Sequence, residues 1–275
     1  MLLNAVTPLD DFPISAVLES LRRVTNDLIN IGSGAATEVL QQYQQWSTVA
    51  AESLGFVITS KNTEQLILTR RHWVLLSLPV TGNDPVVHDL IRAERTDRLR
   101  VLNGVIRELE ALEKAWSCVS AKVLAADTNV YLHHERYFDE IDWKKLADSD
   151  EVRLLIPIAV VRELDTHKRS NRQVTVSDTN KQQIRTRARV TSRRLRELFE
   201  APPWIAPLAP GVEAELLLDS LDHQTLNDAD SEIIERVLAA KQLTRRPVAV
   251  VTGDAGIQFS ARTAGLDVIP LLESM

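Results

Sequence analysis

The chain of 275 residues has one cysteine, Cys118, so no internal disulfide framework can form and a reducing compartment is expected. Aromatic residues make up only 5% of it, and its five tryptophans are dispersed. That distribution fits core or interface anchors better than a base-stacking platform. No apolar run approaches the roughly 18 residues that a membrane span requires. The opening stretch, MLLNAVTPLDDFPIS, has neither the basic start nor the apolar segment of a secretory signal, so a cytoplasmic protein off the membrane is expected. A glycine-rich phosphate loop is missing, which argues against nucleotide hydrolysis. His133 and His134 lack a Cys or His partner at ligand spacing and read as a surface or helix-start pair. What is present is ordinary for a globular protein: 44% apolar and 25% charged residues, with length for one large domain or two modest ones.

The net charge of −6 excludes a uniformly basic nucleic-acid binder but conceals a local asymmetry. Lys168, Arg169, Arg172, Lys181, Arg185, Arg187, Arg189, Arg193, Arg194 and Arg196 face a single acid, Asp178, over the same stretch. A basic stripe of this kind can hold phosphates whatever the overall charge, although a solvated helix face or a dock for an acidic partner is the plainer reading. The stripe contains no aromatic before Phe199, so base stacking is not indicated.

Residues 1–120 read as a mostly helical domain. Helical spacing of apolar residues covers 14–31, 35–54 and 86–117, the last with Leu90, Leu99, Leu102, Ile106, Leu109 and Leu112 as its buried stripe. Residues 56–60 and 64–78 are richer in β-branched and aromatic types and predict a small hairpin. From about 121 to 275 the texture changes. Short apolar strands at 122–126, 152–157, 248–251 and 267–270, with a further element at 214–219, alternate with helices near 158–169, 180–200, 230–241 and 255–264. Such alternation predicts an α/β domain with a mainly parallel sheet flanked by helices, whose ligands sit at the carboxyl edge of the strands.

Four carboxylates fall at that edge. Asp127 ends the first strand, Glu163 lies in the helix leaving the second, Asp230 opens the third helix, and Asp254 follows VAVVTG. Taken singly, Asp230 and Asp254 read as helix caps or dipole partners worth about 1 kcal/mol, and Glu163 as a solvent-facing helical acid paired with Arg or Lys. Asp127 is harder to dismiss, since a charge ending an apolar strand is usually exposed only at a cleft. Four together are different, because converging carboxylates repel and lose hydration unless a cation joins them. A divalent-metal site that cuts nucleic acid is therefore expected. His167, one turn after Glu163, reads first as an ordinary helical histidine, with approach to the same cleft as the alternative.

LAADTNVYL (124–132), LLIPIAVVRELDTHKRS (154–170), LNDADSEIIERVLAA (226–240) and VAVVTGDAGIQFSARTAGL (248–266) resemble, in order, the four blocks of PIN domains. The Glu-Leu-Asp with trailing Lys-Arg is closest to the PINc-type branch. The likeness covers about 121–272 and leaves the first 120 residues without a role; self-association into a homo-oligomer, control of access, and recruitment of a protein partner such as an inhibitor stay open for them. It implies a fold similar to the metal-dependent 5′ nucleases and a Mg²⁺- or Mn²⁺-dependent endoribonuclease. Asp127, Glu163, Asp230 and Asp254 match the family's acidic quartet, with Asp127, Asp230 and Asp254 as metal ligands. Asn129 and Thr252 match accessory polar positions, and Asp228 could share or replace the role of Asp230. Lys168, Arg169, Arg172, Lys181, Arg185, Arg189 and Arg193 are the expected RNA contacts, and the products would carry a 5′-phosphate and a 3′-hydroxyl. The other readings are a catalytically silent PIN-like module that binds RNA or scaffolds a complex, and a phosphatase-like domain. The latter is disfavoured because DTNV lacks a second Asp two positions on.

Overall fold

The computed structural model describes every residue except 1, 4–5, 10–11, 79–83, 118, 171–172, 178–179, 220–222 and 272–275; of 2–3, 173–177 and 180–182 it describes the backbone alone. Cys118 thus lies outside the described residues. The chain forms two compact units, Ala5–Cys118 with Gln242–Thr244, and Met1–Asn4 with Val119–Lys241 and Arg245–Met275. No helix among the described residues is long and apolar enough to cross a membrane.

The first unit is built from α1 (Ile14–Ile29), α2 (Ala36–Gly55), α3 (Ser60–Leu66), α4 (Arg70–Ser77) and α5 (Pro85–Ser117). In α1 the residues Ile14, Val17, Leu18, Leu21, Val24 and Leu28 are buried, the spacing of a single apolar face. In α5 the buried stripe is Val87, Ile91, Leu102, Ile106 and Leu109, while Leu90, Leu99 and Leu112 are only half-buried. The hairpin expected over 56–78 is absent; two short helices stand there instead. Thr59 and Thr69 decide this, because their hydroxyls accept from the backbone N–H of Asn62 (3.4 Å) and His72 (3.1 Å) and so cap both helix starts. Buried Glu94 of α5 then accepts from Thr69 Oγ1 at 2.8 Å and pairs with Arg71 at 3.1 Å and Arg98 at 3.2 Å, which ties α4 to α5.

The second unit carries β1 (Leu2–Leu3), β2 (Lys122–Ala126), α6 (Thr128–His133), α7 (Trp143–Ala147), β3 (Val152–Pro157), α8 (Ile158–His167), β4 (Gln173–Ser177), β5 (Asn180–Gln183), α9 (Ile184–Leu198), β6 (Ile205–Ala209), β7 (Val212–Asp219), α10 (Ala229–Thr244), β8 (Val248–Thr252), α11 (Ala255–Thr263) and β9 (Asp267–Pro270). The sheet order is β1-β7-β3-β2-β8-β9, every neighbouring pair parallel, with β6 antiparallel against β7. It is a mixed α/β fold with a mostly parallel sheet flanked by helices. Central β2 and β8 are buried along nearly their whole length, as strands covered on both faces must be. Ala126 sits opposite Val251, so β2 and β8 end level with each other.

Two sequence expectations change here. Residues 180–183 are not the start of a helix but a strand paired antiparallel with 173–177. The helix begins only at Ile184, where the buried stripe Ile184, Ala188, Thr191 and Leu195 sets in. Strand β6 escaped notice because prolines crowd its neighbourhood. Pro207 is tolerated there because β6 runs along the sheet margin, where a missing N–H matters least.

Candidate metal centre

Asp127 follows β2 as the N-cap of α6, and its Oδ1 accepts from Val130 N at 2.9 Å. Its Oδ2 accepts from the hydroxyl of Thr252, the last residue of β8. Thr252 Oγ1 in turn accepts from Asp254 N at 3.0 Å. Asp254 caps α11, with Oδ1 taking Gly256 N (2.7 Å) and Ile257 N (3.1 Å). The level ends of two adjacent parallel strands thus place two aspartates and a threonine in one connected group. The capping role that accounts for each aspartate alone is real, but it engages only one oxygen of each.

The second side of the site comes from helices. Glu163 of α8 accepts from Thr128 Oγ1 of α6 at 2.5 Å, and His167 Nε2 lies 3.6 Å from its other oxygen. Asp230 lies in the first turn of α10, beyond the N-cap Asp228, whose Oδ2 accepts from Ser231 N at 2.9 Å. Ile233 and Val237 anchor that helix in the core. The carboxylate of Asp230 has no hydrogen-bond partner among the described residues.

The charges of these acids reach one another in part: Asp230 and Asp254 act on Asp127, and Glu163 and Asp254 act on Asp230. Asp127 is fully buried, and burial pushes its carboxyl up to about 6. Its bonds from Thr252 and Val130 pull the other way, while the charges of Asp230 and Asp254 add to the rise. Partial burial also raises the Asp230 carboxyl, helped by the charges of Glu163, Asp228 and Asp254. Asp228 moves down, because Ser231 donates to its ionised form. Each acid of the quartet therefore acts on at least one other, and all of the groups are hard oxygen donors.

That donor set fits Mg²⁺ or Mn²⁺, which take oxygen ligands and retain waters. The fit rests on three observations: Asp127 and Asp230 raised by burial and, secondarily, by neighbouring acids; unclaimed oxygens on Asp230 and Asp254; and Thr252 fixing the orientation of Asp127. Asn129 stands exposed in the first turn of α6.

The basic stripe divides. Arg189 and Arg193 are exposed and Arg185 half-buried, at four-residue intervals on the outer face of α9; Arg185 donates to Gln183 at 2.6 Å, and Arg193 lies 3.8 Å from Glu197. Arg169 is exposed just past α8, and Lys168 pairs with Asp165. Arg172 and the side chain of Lys181 lie outside the described residues. Arg187 and Arg194 are structural. Arg187 is buried and donates to the carbonyls of Tyr131, His134 and Arg136, and the two guanidiniums lie 4.4 and 4.0 Å from the centre of the Tyr137 ring. His133 and His134 end α6 rather than start a helix; His134 Nδ1 accepts from Arg136 N at 3.0 Å.

One group was missed from the sequence. Asp219, His223 and Glu232 bring donor atoms within 4.8 Å of one another. Spacing alone gave no motif, since Asp219 ends a strand and Glu232 sits in a helix; an acid amid the apolar run of α10 was the only available sign.

A family model described as PIN domain matches residues 124–271. No curated protein matches the chain.

Proposed function

The chain belongs to the PIN-domain family, and from that membership we propose that it is a divalent-metal-dependent endoribonuclease acting on single-stranded RNA. The observation that carries the reading is that the ends of β2 and β8 join Asp127, Thr252 and Asp254 through hydrogen bonds, with Glu163 held by Thr128 next to Asp127 and the charge of Asp230 acting on Asp127. A buried aspartate pushed up to about 6 among other acids is a standing penalty that bound cations relieve.

In this reading Asp127, Asp230 and Asp254 hold the metal, Mg²⁺ or Mn²⁺. When bound, the ion supplies Lewis acidity towards the phosphate and its attacking water. Thr252, by donating to Asp127 Oδ2, keeps that carboxylate turned towards the cleft. Asn129 and Asp228 border it. Glu163 is held by Thr128 and orients the water for in-line attack. The bond from phosphorus to the 3′ oxygen then breaks, leaving a 5′-phosphate and a 3′-hydroxyl. Arg169, Arg185, Arg189 and Arg193 bind the RNA backbone by charge and carry no base preference.

The test is incubation of a generic single-stranded RNA with the full chain in Mn²⁺, with and without EDTA, beside Asp127→Asn. Metal-dependent cleavage lost in the variant is expected. Cleavage that persists in Asp127→Asn sinks the scheme, and RNA binding with no cleavage under any metal favours the silent module.

A further inference from the structure

Asp219, His223 and Glu232 invite a reading as a second metal site, but their charges are already matched. Arg162 Nη1 donates to Asp219 Oδ2 at 2.7 Å, and Arg236 lies 3.9 Å from Asp219 Oδ1 and 3.8 Å from Glu232 Oε1. Arg236 Nη2 also pairs with half-exposed Glu235 at 2.8 Å, so each carboxylate of the group already faces a guanidinium, and Glu232 faces His223 as well. The side chains of Asp219, Glu232, Arg236 and His223 are only 4%, 1%, 8% and 7% exposed, so water screens these pairs little.

The network's place in the fold gives it a different use. Arg162 precedes Glu163 on α8. Asp219 ends β7. Glu232 and Arg236 lie on α10, half a turn and nearly two turns beyond Asp230. Glu232 also accepts from His223 Nε2 at 2.6 Å and Leu226 N at 2.8 Å, which fixes the segment leading into Asp228. Meanwhile Glu163 and Asp230 repel each other across the cleft. That repulsion acts between α8 and α10, the helices that carry the two acids.

We propose that Asp219 is a positioning residue which, through Arg162 and Arg236, sets the separation of Glu163 from Asp230 and keeps the acids of the metal site assembled before the ion arrives. The link from Asp219 to Arg236 is one of charge: Arg236 Nη1 lies 3.9 Å from Asp219 Oδ1, which is buried without a hydrogen-bond partner among the described residues. Neutralising Asp219 therefore breaks it while leaving the shape intact.

This inference rests on the metal reading of the quartet, and the experiment separates the two. Mn²⁺ affinity of the full chain is measured by electron paramagnetic resonance of free Mn²⁺, at a temperature where circular dichroism shows each variant folded. Asp219→Asn is expected to weaken binding about tenfold. Should Asp219→Asn fail to fold, Arg162→Gln, at a half-exposed position, is expected to weaken binding several-fold, with Arg162→Lys restoring part of the loss. Arg153→Gln is the control. It breaks a half-buried cluster with Glu213 and Glu215 at the amino ends of β3 and β7, and is expected to lower thermal stability without changing Mn²⁺ affinity. Affinity within about twofold of the parent in Asp219→Asn or Arg162→Gln overturns the inference, as does an equal loss in Arg153→Gln. A parent chain that binds no Mn²⁺ overturns instead the metal reading beneath it.

Discussion

Asp127 illustrates how a residue can serve stability and function against each other. Its Oδ1 caps a helix, which favours folding, yet burial and negative neighbours lift its carboxyl to about 6. An aspartate in the unfolded chain titrates near 3.9. Between those values the folded chain holds the extra proton, so stability falls as pH rises from about 4 to about 6 and stays lowered above that, by up to about 3 kcal/mol. Asp127→Asn removes this slope. In EDTA the variant is expected to gain on the parent as pH rises from 4.5 to 7.5, read as the difference between their thermal midpoints. A difference that stays flat across that range sinks the assignment. Excess Mn²⁺ should reverse the order at pH 7.5, because only the parent gains from binding. Apparent Mn²⁺ affinity of the parent should also fall below about pH 6, where the ion must displace a proton from Asp127.

At the scale of elements, α9 shows why a run of like charges cannot be read as one thing. The sequence marks ten basic residues in a stripe, but helical geometry turns Arg185, Arg189 and Arg193 outward and Arg187 inward. Arg187 serves the far end of α6, the helix that Asp127 begins, by donating to three carbonyls. Arg187→Ala is expected to lose about 3 kcal/mol in denaturant unfolding, since it strands buried acceptors. The pair Arg189→Ala with Arg193→Ala is expected to shift the same curve by less than about 1 kcal/mol while weakening RNA binding. The strands around the site were legible as short apolar runs; 122–126, 152–157 and 267–270 stand as read, the first bounded by helix-starting Asp127 and the other two ending on Pro157 and Pro270. The hairpin expected over 56–78 was not, because two threonine caps outweighed β-branched composition. Strand β6 depends on pairing with β7, which local sequence does not announce.

Over the whole molecule, the placement of Asp127, Asp230 and Asp254 at a strand end or helix start was legible, and a parallel sheet brings such ends to one edge; Glu163 lies mid-helix in α8 and was singled out by its block alone. The network around Asp219 was not legible, since its five side chains meet only through the packing of α8, β7, α10 and the connection that carries His223. The same gap between sum and arrangement governs charge. A chain of net −6 should repel RNA at long range, and its acids add to that repulsion when no metal is bound. Binding must then come from the few exposed arginines near α8 and α9, and each phosphate contact contributes about −0.7 to the slope of log affinity against log salt on single strands. Contacts from Arg169, Arg185, Arg189 and Arg193 give a slope of about −3, and removing Arg189 and Arg193 should bring it to about −1.5. Fluorescence anisotropy of a labelled single-stranded RNA with the uncleaving Asp127→Asn chain, from 50 to about 200 mM salt, measures both. A slope unchanged by the double substitution would move the RNA path off the face of α9, and a slope near zero would leave charge no part in holding the strand.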